Sequence, residues 1–258
     1  LLCQYLVEEY CGIPVRAEIA SEFRYRTPPG DDLVVGVTQS GETADTLSAL
    51  KKARMHNHAT LVITNVLGST ATRVADHTLY MRAGPEISVA ATKSFVAELA
   101  VFFYIADVTS GGRLRQSILS GHEAIGEALL EDLSPAVDIC KDAGSIFFVG
   151  RGPFFPLALE GALKMKEITY IHAEGYAAGE IKHGPFALLS PMTPVVALCP
   201  QAESYPAMVS NIREMKARGV PLIVIGDGKS QELRDIADVL VPLPGEDIVS
   251  AVLGSTVL

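Results

Sequence analysis

Short apolar runs alternate with helical patterns along almost the whole chain, and this alternation strongly limits the folds it can adopt. Strands that alternate with helices favour parallel sheets with helices on both faces. A hydrophobic content of 48% over 258 residues is enough for a sizeable core. The sequence therefore predicts an α/β protein. The predicted strands are Leu33–Val37, Thr60–Asn65, Thr78–Met81, Ser145–Val149, Pro194–Leu198, Pro221–Ile225 and Val239–Leu243.

The strands fall into two groups that resemble each other. Arg16–Glu18 is similar to His172–Glu174, and Val34–Val37 is similar to Val195–Leu198. Such internal similarity favours two related α/β units. We place the units at residues 1–110 and 144–258, joined by a helical connection at residues 111–143.

The two units open differently. The second is predicted to start with a strand and a glycine turn, Ile146–Gly152, whereas the first begins directly with the matching helix, Leu1–Tyr10. A sheet without that strand would leave backbone groups unpaired. We therefore expect residue 1 not to be the natural start. We also expect the helix at Leu253–Leu258 to be cut short.

Hydroxyl side chains gather after the first predicted strand, which follows a turn signal at Pro28–Asp32. Thr38, Ser40 and Thr43 lie, with Gly41, where this strand leads into a helix. The first turn of a helix has unpaired N–H groups and about half a positive charge. These groups form a site for a phosphate ester that needs neither lysine nor magnesium. The alternative is that one hydroxyl only caps the helix.

Several classes of partner are disfavoured. The chain contains neither G-x-G-x-x-G nor G-x-x-x-x-G-K-[ST], which favours a small phosphorylated metabolite over a nucleotide. A net charge of −9 argues against nucleic acid and anionic membranes. The most apolar run, Val96–Val108, is interrupted by Glu98 and too short to span a bilayer, so it predicts a core helix.

The cysteines do not indicate a metal or disulfide framework. Their spacing matches neither a C-x-x-C pair nor a zinc motif. We expect four structural thiols in a reducing cytoplasm, with no metal and no cofactor. The cysteines are Cys3, Cys11, Cys140 and Cys199.

The predicted helix Pro156–Ile171 carries three charged residues on one face. Glu160, Lys164 and Glu167 are spaced by four and three positions. A solvated salt-bridge ladder is the alternative to a catalytic group. The irregular stretch Gly179–Pro185 follows and contains His183, a candidate acid or base on a loop.

The two units are specialised differently. The second unit's counterpart of the hydroxyl loop, Cys199–Glu203, lacks the hydroxyl cluster and carries an acid. A single composite site is the simplest interpretation, with phosphate held by the first unit and chemistry supplied by the second. Ligands of open α/β sheets lie at the carboxyl ends of the strands, where both loops are predicted to be.

These residues also resemble a known family, the isomerase part of the glutamine–fructose-6-phosphate aminotransferases (glucosamine-6-phosphate synthases). The longest match runs from Ala158 to Pro185, and the resemblance covers nearly the whole chain. Further matching segments are Ala20–Arg26, Thr38–Thr46 and Val89–Lys93.

The resemblance implies two tandem sugar-isomerase (SIS) subdomains, each a three-layer αβα sandwich with a parallel, flavodoxin-like sheet. It implies conversion of fructose 6-phosphate and ammonia to glucosamine 6-phosphate by a homodimer. Glu167 would move the proton between C1 and C2, beside Lys164, which would hold its charge state. His183 would assist ring opening from a neighbouring subunit. The resemblance implies a set of residues that bind the phosphate, namely Thr38, Gln39, Ser40 and Thr43. It implies that Val89 and Ala91 line the sugar pocket.

The chain departs from the family pattern in places. The family usually has serine at the positions of Thr38 and Ala91. We expect the family's imine-forming lysine to lie after Leu258. We expect its other hydroxyl turn and its glutaminase domain to lie before Leu1, outside these residues. Two alternatives stay open, another SIS-fold enzyme (a sugar-phosphate isomerase or a glucosamine-6-phosphate deaminase) and a non-catalytic sugar-phosphate sensor.

Overall fold

The computed structural model describes residues 1–26 and 29–258. Pro28, in the predicted turn before the first strand, lies outside these residues. The first half contains three strands and five helices in the described part. They are α1 (Leu2–Cys11), α2 (Ala20–Phe23), β1 (Val34–Val37), α3 (Ala44–Met55), β2 (Thr60–Thr64), α4 (Thr70–Val74), β3 (His77–Tyr80) and α5 (Lys93–Thr109).

Two helices, α6 (Arg115–Ala128) and α7 (Ser134–Cys140), connect the halves. The elements of the second half are β4 (Ser145–Gly150), α8 (Phe155–Thr169), β5 (His172–Ala177), β6 (Val195–Cys199), α9 (Tyr205–Lys216), β7 (Leu222–Gly226), α10 (Gln231–Ile236), β8 (Val239–Pro242) and α11 (Ile248–Val257). Short 3-10 helices span Gly152–Phe154, Glu180–Lys182 and Pro185–Leu188.

The strands form two parallel sheets, as the alternating pattern predicted. The first has the order β1-β2-β3, with Val34 opposite Thr60 and Leu61 opposite His77. The second has the order β5-β4-β6-β7-β8. This is the flavodoxin-like order, in which the second strand lies outside the first. The α/β prediction and the flavodoxin-like sheet are confirmed.

One strand was missed. The run His172–Ala177 forms β5, although it alternates polar and small residues. It pairs with β4 alone and forms the edge of its sheet, where polar side chains are tolerated. The similar segment at Arg16–Glu18 is not in a strand. The two segments are therefore similar in sequence but differ in local structure.

A single large hydrophobic cluster contains residues of both halves. Leu6 of α1 and Phe103 of α5 belong to the same cluster as Phe148 of β4 and Val252 of α11, and all four are buried. The predicted core helix at Val96–Val108 is confirmed as part of α5, with Leu99 and Ala106 among its buried residues. The two sheets consequently share this cluster, while another cluster, which includes Phe147 and Val224, lies within the second half alone.

Asp107 fixes the turn that leads from α5 to α6. Its side chain is fully buried and accepts hydrogen bonds from Arg115 Nε at 2.7 Å and Leu114 N at 3.0 Å.

No helix in residues 1–26 and 29–258 is long and apolar enough to cross a membrane. All four cysteines are free, and burial raises the pKa of the Cys199 thiol to about 12.

Candidate functional site

The hydroxyl loop, residues 38–43, joins β1 to α3. The Thr38 and Thr43 hydroxyls are hydrogen-bonded at 2.8 Å, and Gly41 N donates to Thr38 Oγ1 at 3.2 Å. Thr38 is buried, whereas Gln39 and Ser40 are half-buried and Thr43 is exposed. The Thr38 hydroxyl therefore holds the loop in shape, and the other three side chains are better placed to meet a ligand.

The start of α3 is not capped by a side chain. Thr43 is the N-cap residue but accepts no capping hydrogen bond, and Ser40 Oγ accepts from Glu42 N instead, at 3.2 Å. The first intrahelical bond links Leu47 N to Thr43 O at 3.0 Å. The N–H groups ahead of Leu47 have no carbonyl of their own helix to bind. The alternative that this hydroxyl merely caps the helix is wrong for Thr43.

Gly41 brings the loop against the start of α4. Its φ is +68°, and a Cβ at this position would lie 2.1 Å from Ser69 Oγ. Its carbonyl accepts a hydrogen bond from Ala71 N at 3.0 Å. Only glycine allows both the left-handed backbone and this close approach. The loop is thus locked onto a neighbouring segment of the first half.

Glu42 directs its charge away from α3. Its carboxylate accepts a hydrogen bond from Thr70 N at 2.7 Å, and this bond lowers the pKa of Glu42. The acid in the hydroxyl loop is therefore bound at the start of α4. The first turn of α3 contains an acid of its own, Asp45, which lies 3.7 Å from the Arg24 guanidinium.

Asn65, which sequence analysis missed, connects the hydroxyl loop to the segment after β3. Its backbone N–H donates to Gln39 O at 3.0 Å. Its side chain donates to Gly84 O at 2.7 Å and accepts from Ala83 N at 2.9 Å. A polar residue directly after a buried strand was the available signal, because such positions line the ligand edge of a parallel sheet.

Glu86, also missed, caps α5 from a distance. Its Oε2 accepts hydrogen bonds from Ser94 Oγ at 2.6 Å, Ser94 N at 3.0 Å and Thr92 N at 3.2 Å. The Ser94 hydrogen bonds lower the pKa of Glu86. Between these ends, Val89 is 94% exposed and Ala91 is half-buried. The segment that carries both predicted ligands is therefore anchored at both ends while Val89 faces solvent.

The charged face predicted on α8 is a compact cluster. Lys164 Nζ lies 2.6 Å from Glu167 Oε2 and 3.4 Å from Glu160 Oε1. All three side chains are between 22% and 29% exposed. Burial, followed by the Glu167 charge, raises the pKa of Glu160 against the opposing effect of Lys164. A fully solvated ladder does not describe this cluster.

Glu98 of α5 interacts electrostatically with the charged cluster on α8. Burial is the main cause that raises the pKa of Glu98 to about 7, and the charge of Glu160 adds to it. The chain thus places a protonatable carboxyl from the first half beside the acids of the second. Its signal in the sequence was an acid inside the most apolar run, Val96–Val108, which also contains Asp107 near its end.

His183 lies in the histidine segment, defined here as residues 179–188. This segment consists mainly of two 3-10 helices, Glu180–Lys182 and Pro185–Leu188, which agrees with the predicted irregular stretch. His183 is exposed, and its backbone N–H donates to Glu180 O at 3.0 Å. Gly184 follows with a φ of +135°, which is open to glycine but strained for other residues.

The structure joins some of the predicted site residues and leaves others apart. Lys164 and Glu167 are in direct contact. Within the described ranges, no hydrogen bond or ion pair links the hydroxyl loop to α8 or to His183. Two surface cavities of about 300 Å³ lie elsewhere, one between β3 and α5 and the other along α9 and α10. The composite site stays a prediction.

Comparisons with known proteins point in one direction. The SIS domain family model matches residues 2–106 and 139–257. The glutamine–fructose-6-phosphate aminotransferase of Methanosarcina acetivorans is 44% identical over 272 residues, which cover 100% of this chain and 44% of that protein. The corresponding enzyme of Methanothermobacter thermautotrophicus is 45% identical over 256 residues, covering 97% of this chain and 43% of its own. The chain thus spans less than half the length of these relatives.

Solved structures agree with the sequence relatives. The C-terminal domain of glucosamine–fructose-6-phosphate aminotransferase from Francisella tularensis superposes with a TM-score of 0.91 at 34% identity, covering 99% of this chain and 77% of that one. Glucosamine-6-phosphate deaminase from Thermotoga maritima gives a TM-score of 0.79 at 24% identity, covering 100% and 79%. The second likeness is at the level of the fold alone.

Proposed function

We propose a function from the premise that this chain belongs to the SIS domain family, together with the isomerase domains of the glutamine–fructose-6-phosphate aminotransferases. The proposal is that the chain binds fructose 6-phosphate and catalyses its conversion with ammonia to glucosamine 6-phosphate. The observation that carries the proposal is the uncapped start of α3, bordered by the Ser40 and Thr43 hydroxyls. N–H groups and hydroxyls that converge at a helix start suit a phosphate dianion.

The phosphate would position the sugar rather than react. Gln39, Ser40 and Thr43 offer hydrogen bonds to an anion while Thr38 keeps the loop closed. Contacts to a remote phosphate supply binding energy that holds the reacting carbons in place. Val89 and Ala91 would line the sugar, on the segment that Asn65 and Glu86 hold in place.

The chemistry needs one base that moves one proton. Ammonia adds to the C2 carbonyl of the open sugar and water leaves, which gives an imine at C2. A carboxylate then takes a proton from C1 while the imine nitrogen is protonated, which gives an enolamine. The proton is returned to C2 while the C1 hydroxyl loses its proton, so that the product is an aldehyde at C1 with an amine at C2. We assign this transfer to Glu167, with the Lys164 ammonium 2.6 Å away to stabilise its charged form. His183 would assist ring opening, and a homodimer would bring it from the neighbouring subunit.

Ligand binding can be tested without turnover. Fructose 6-phosphate is expected to raise the melting temperature of the chain, and fructose without phosphate is not. Ser40→Ala combined with Thr43→Val should abolish the shift. Ser48→Ala is the matched control, because Ser48 lies on α3 and its hydroxyl accepts a hydrogen bond from Arg24 at 3.1 Å. This variant should keep the melting-temperature shift. A shift that survives the loop double variant would refute the proposed phosphate site.

Product analysis separates this function from the alternatives. With ammonia and fructose 6-phosphate, we expect glucosamine 6-phosphate to accumulate. Glucose 6-phosphate alone would indicate a simple isomerase, and ligand binding without any product would indicate a sensor. The Lys164–Glu167 pair favours an enzyme, because a sensor needs only the hydroxyl loop.

A further inference from the structure

The histidine segment has few anchors of its own. Ile181 within it and Leu189 just after it are buried in an apolar cluster, but His183 and Gly184 between them are exposed. Its two 3-10 helices are only three and four residues long, and such short helices have poorer hydrogen-bond geometry than α-helices. The position of His183 must therefore depend on side-chain contacts with neighbouring elements.

The residue before His183, Lys182, forms an ion pair with α9. Lys182 Nζ donates to Glu214 Oε1 at 2.8 Å and lies 2.8 Å from Oε2. The Oε2 atom is buried and has no hydrogen bond from the rest of the described chain. Lys182 is therefore the charged partner of this buried oxygen, in an ion pair whose side chains are 48% and 37% exposed and partly screened by water.

Two more cationic side chains connect the segment to α9. The Arg218 guanidinium lies 4.5 Å from the centre of the Phe186 ring, in cation–π geometry. At the other end, Arg151 Nη1 donates to Oδ1 of the buried Asn211 at 2.9 Å. The same Nη1 lies 2.9 Å from where a Cβ on Gly179 would be. Arg151 therefore packs directly over the start of the histidine segment.

The α9 partners form one stripe. Asn211, Glu214 and Arg218 are three and four positions apart, the spacing that aligns side chains on one helical face. Arg218 lies two residues after the end of α9, in a turn where its N–H donates to Met215 O at 2.9 Å. Arg213 belongs to a different face and pairs with Glu232 of α10 at 2.7 Å. The contacts with the segment are thus confined to one side of α9.

We infer that this stripe of α9 is a positioning surface for His183, with Glu214 as its main positioning residue. Glu214 acts through Lys182, and Asn211 and Arg218 secure the two ends of the segment. The role in catalysis rests on the proposed function, because it assumes that His183 works on the sugar. The mechanical role does not depend on that assumption.

Hydrogen exchange tests the mechanical role directly. In Glu214→Ala, backbone amides of residues 180–186 should exchange about tenfold faster than in the unmodified chain, because local opening becomes easier. Arg213→Ala removes an ion pair of the same kind from the same helix and should leave this exchange within about twofold. Lys182→Met breaks the tie from the other side and should reproduce the Glu214→Ala result. Equal exchange in all three variants would overturn the inference.

Turnover of fructose 6-phosphate tests the catalytic consequence. Glu214→Ala should lower kcat about tenfold and change KM less than about twofold, because the hydroxyl loop is untouched. In a His183→Ala background, Glu214→Ala should cause no further loss, since both changes remove one contribution. Additive losses would refute the positioning role. If the unmodified chain neither binds nor converts the sugar phosphate, the proposed function fails, while the exchange result still decides whether α9 holds the segment.

Discussion

The two halves of the chain place loops of opposite character at the same point of the same frame. In the first half, the loop after β1 gathers hydroxyls at an uncapped helix start. In the second, the loop after β6 carries Glu203, and Gln201 donates to Asp227 at 3.3 Å. The Tyr205 hydroxyl at the start of α9 is hydrogen-bonded to Ser230 at 2.9 Å. A shared strand-to-helix geometry therefore does not make an anion site, and the loop side chains decide.

The helices after these loops differ in the same way. Neither α3 nor α9 has a side-chain cap at its start, but hydroxyls border the start of α3, whereas one lateral stripe of α9 contacts the histidine segment. On the proposed function, the first half would bind the ligand and the second would support the reactive groups. Duplicated units can divide binding and chemistry without changing their common frame.

The largest effect should come from separating chemistry from binding. Glu167→Gln keeps the shape of the side chain but removes the base, so kcat for glucosamine 6-phosphate formation should fall by about 10²–10⁴. The melting shift with fructose 6-phosphate should persist, because the hydroxyl loop is intact. Glu123→Gln, on the exposed face of α6, is the control and should retain full turnover. Loss of both binding and turnover in Glu167→Gln would contradict the division between the halves.

The close approach at Gly41 should be the most sensitive point of the binding loop. Gly41→Ala forces a Cβ toward Ser69 Oγ at a φ of +68°, and the free energy of unfolding should fall by about 1–3 kcal/mol. Gly126→Ala in α6 meets open space and should instead stabilise by about 0.5–1 kcal/mol. Denaturant titration measures both. Equal effects of the two substitutions would show that the loop is not locked onto α4.

Glu98 links the halves electrostatically and should make stability depend on pH. Its pKa rises from the usual 4.5 to about 7 in the folded chain. The folded state therefore keeps the proton that the unfolded state releases above pH 4.5, so stability falls as pH rises from about 4.5 to 7. Glu98→Gln should remove about 1–2 kcal/mol of this dependence. Denaturant midpoints at pH 5 and 7.5 measure it, and an unchanged slope in the variant would contradict the assignment.

The smallest expected effect compares the two loops by single substitutions. Ser40→Ala should weaken fructose 6-phosphate binding about five- to tenfold, the value of one hydrogen bond to an anion. Glu203→Gln, in the counterpart loop of the second half, should change the affinity less than about twofold. Calorimetric titration measures both dissociation constants. If Glu203→Gln weakened binding more than Ser40→Ala, the phosphate would bind in the second half and the proposed site would be contradicted.

Sequence patterns predicted the parts of the fold that local chemistry determines. The β-branched run at Thr60–Asn65 became β2, and the hydroxyl loop lies at the predicted strand-to-helix junction. The edge strand β5 was missed because its polar and small residues lack a strand-like apolar run. Its identity as a strand comes from pairing with β4, which is a tertiary effect.

The site was less predictable than the fold because its supports are distant in sequence. Arg151 and Asn211 are 60 residues apart, and Lys182 and Glu214 are 32 apart. No local spacing rule connects such pairs. By contrast, the Lys164–Glu167 contact was predictable, because positions three apart share a helical face.

The shared apolar core has a consequence for how the chain can come apart. Helices α1 and α5 of the first half bury Leu6 and Phe103 in the same cluster as Phe148 of the second sheet. Peeling either half away would expose these side chains to water on both sides of the break. We therefore expect a single cooperative melting transition rather than two. A chimera that joins halves from different relatives would need matching side chains in this shared cluster as well as in the loops.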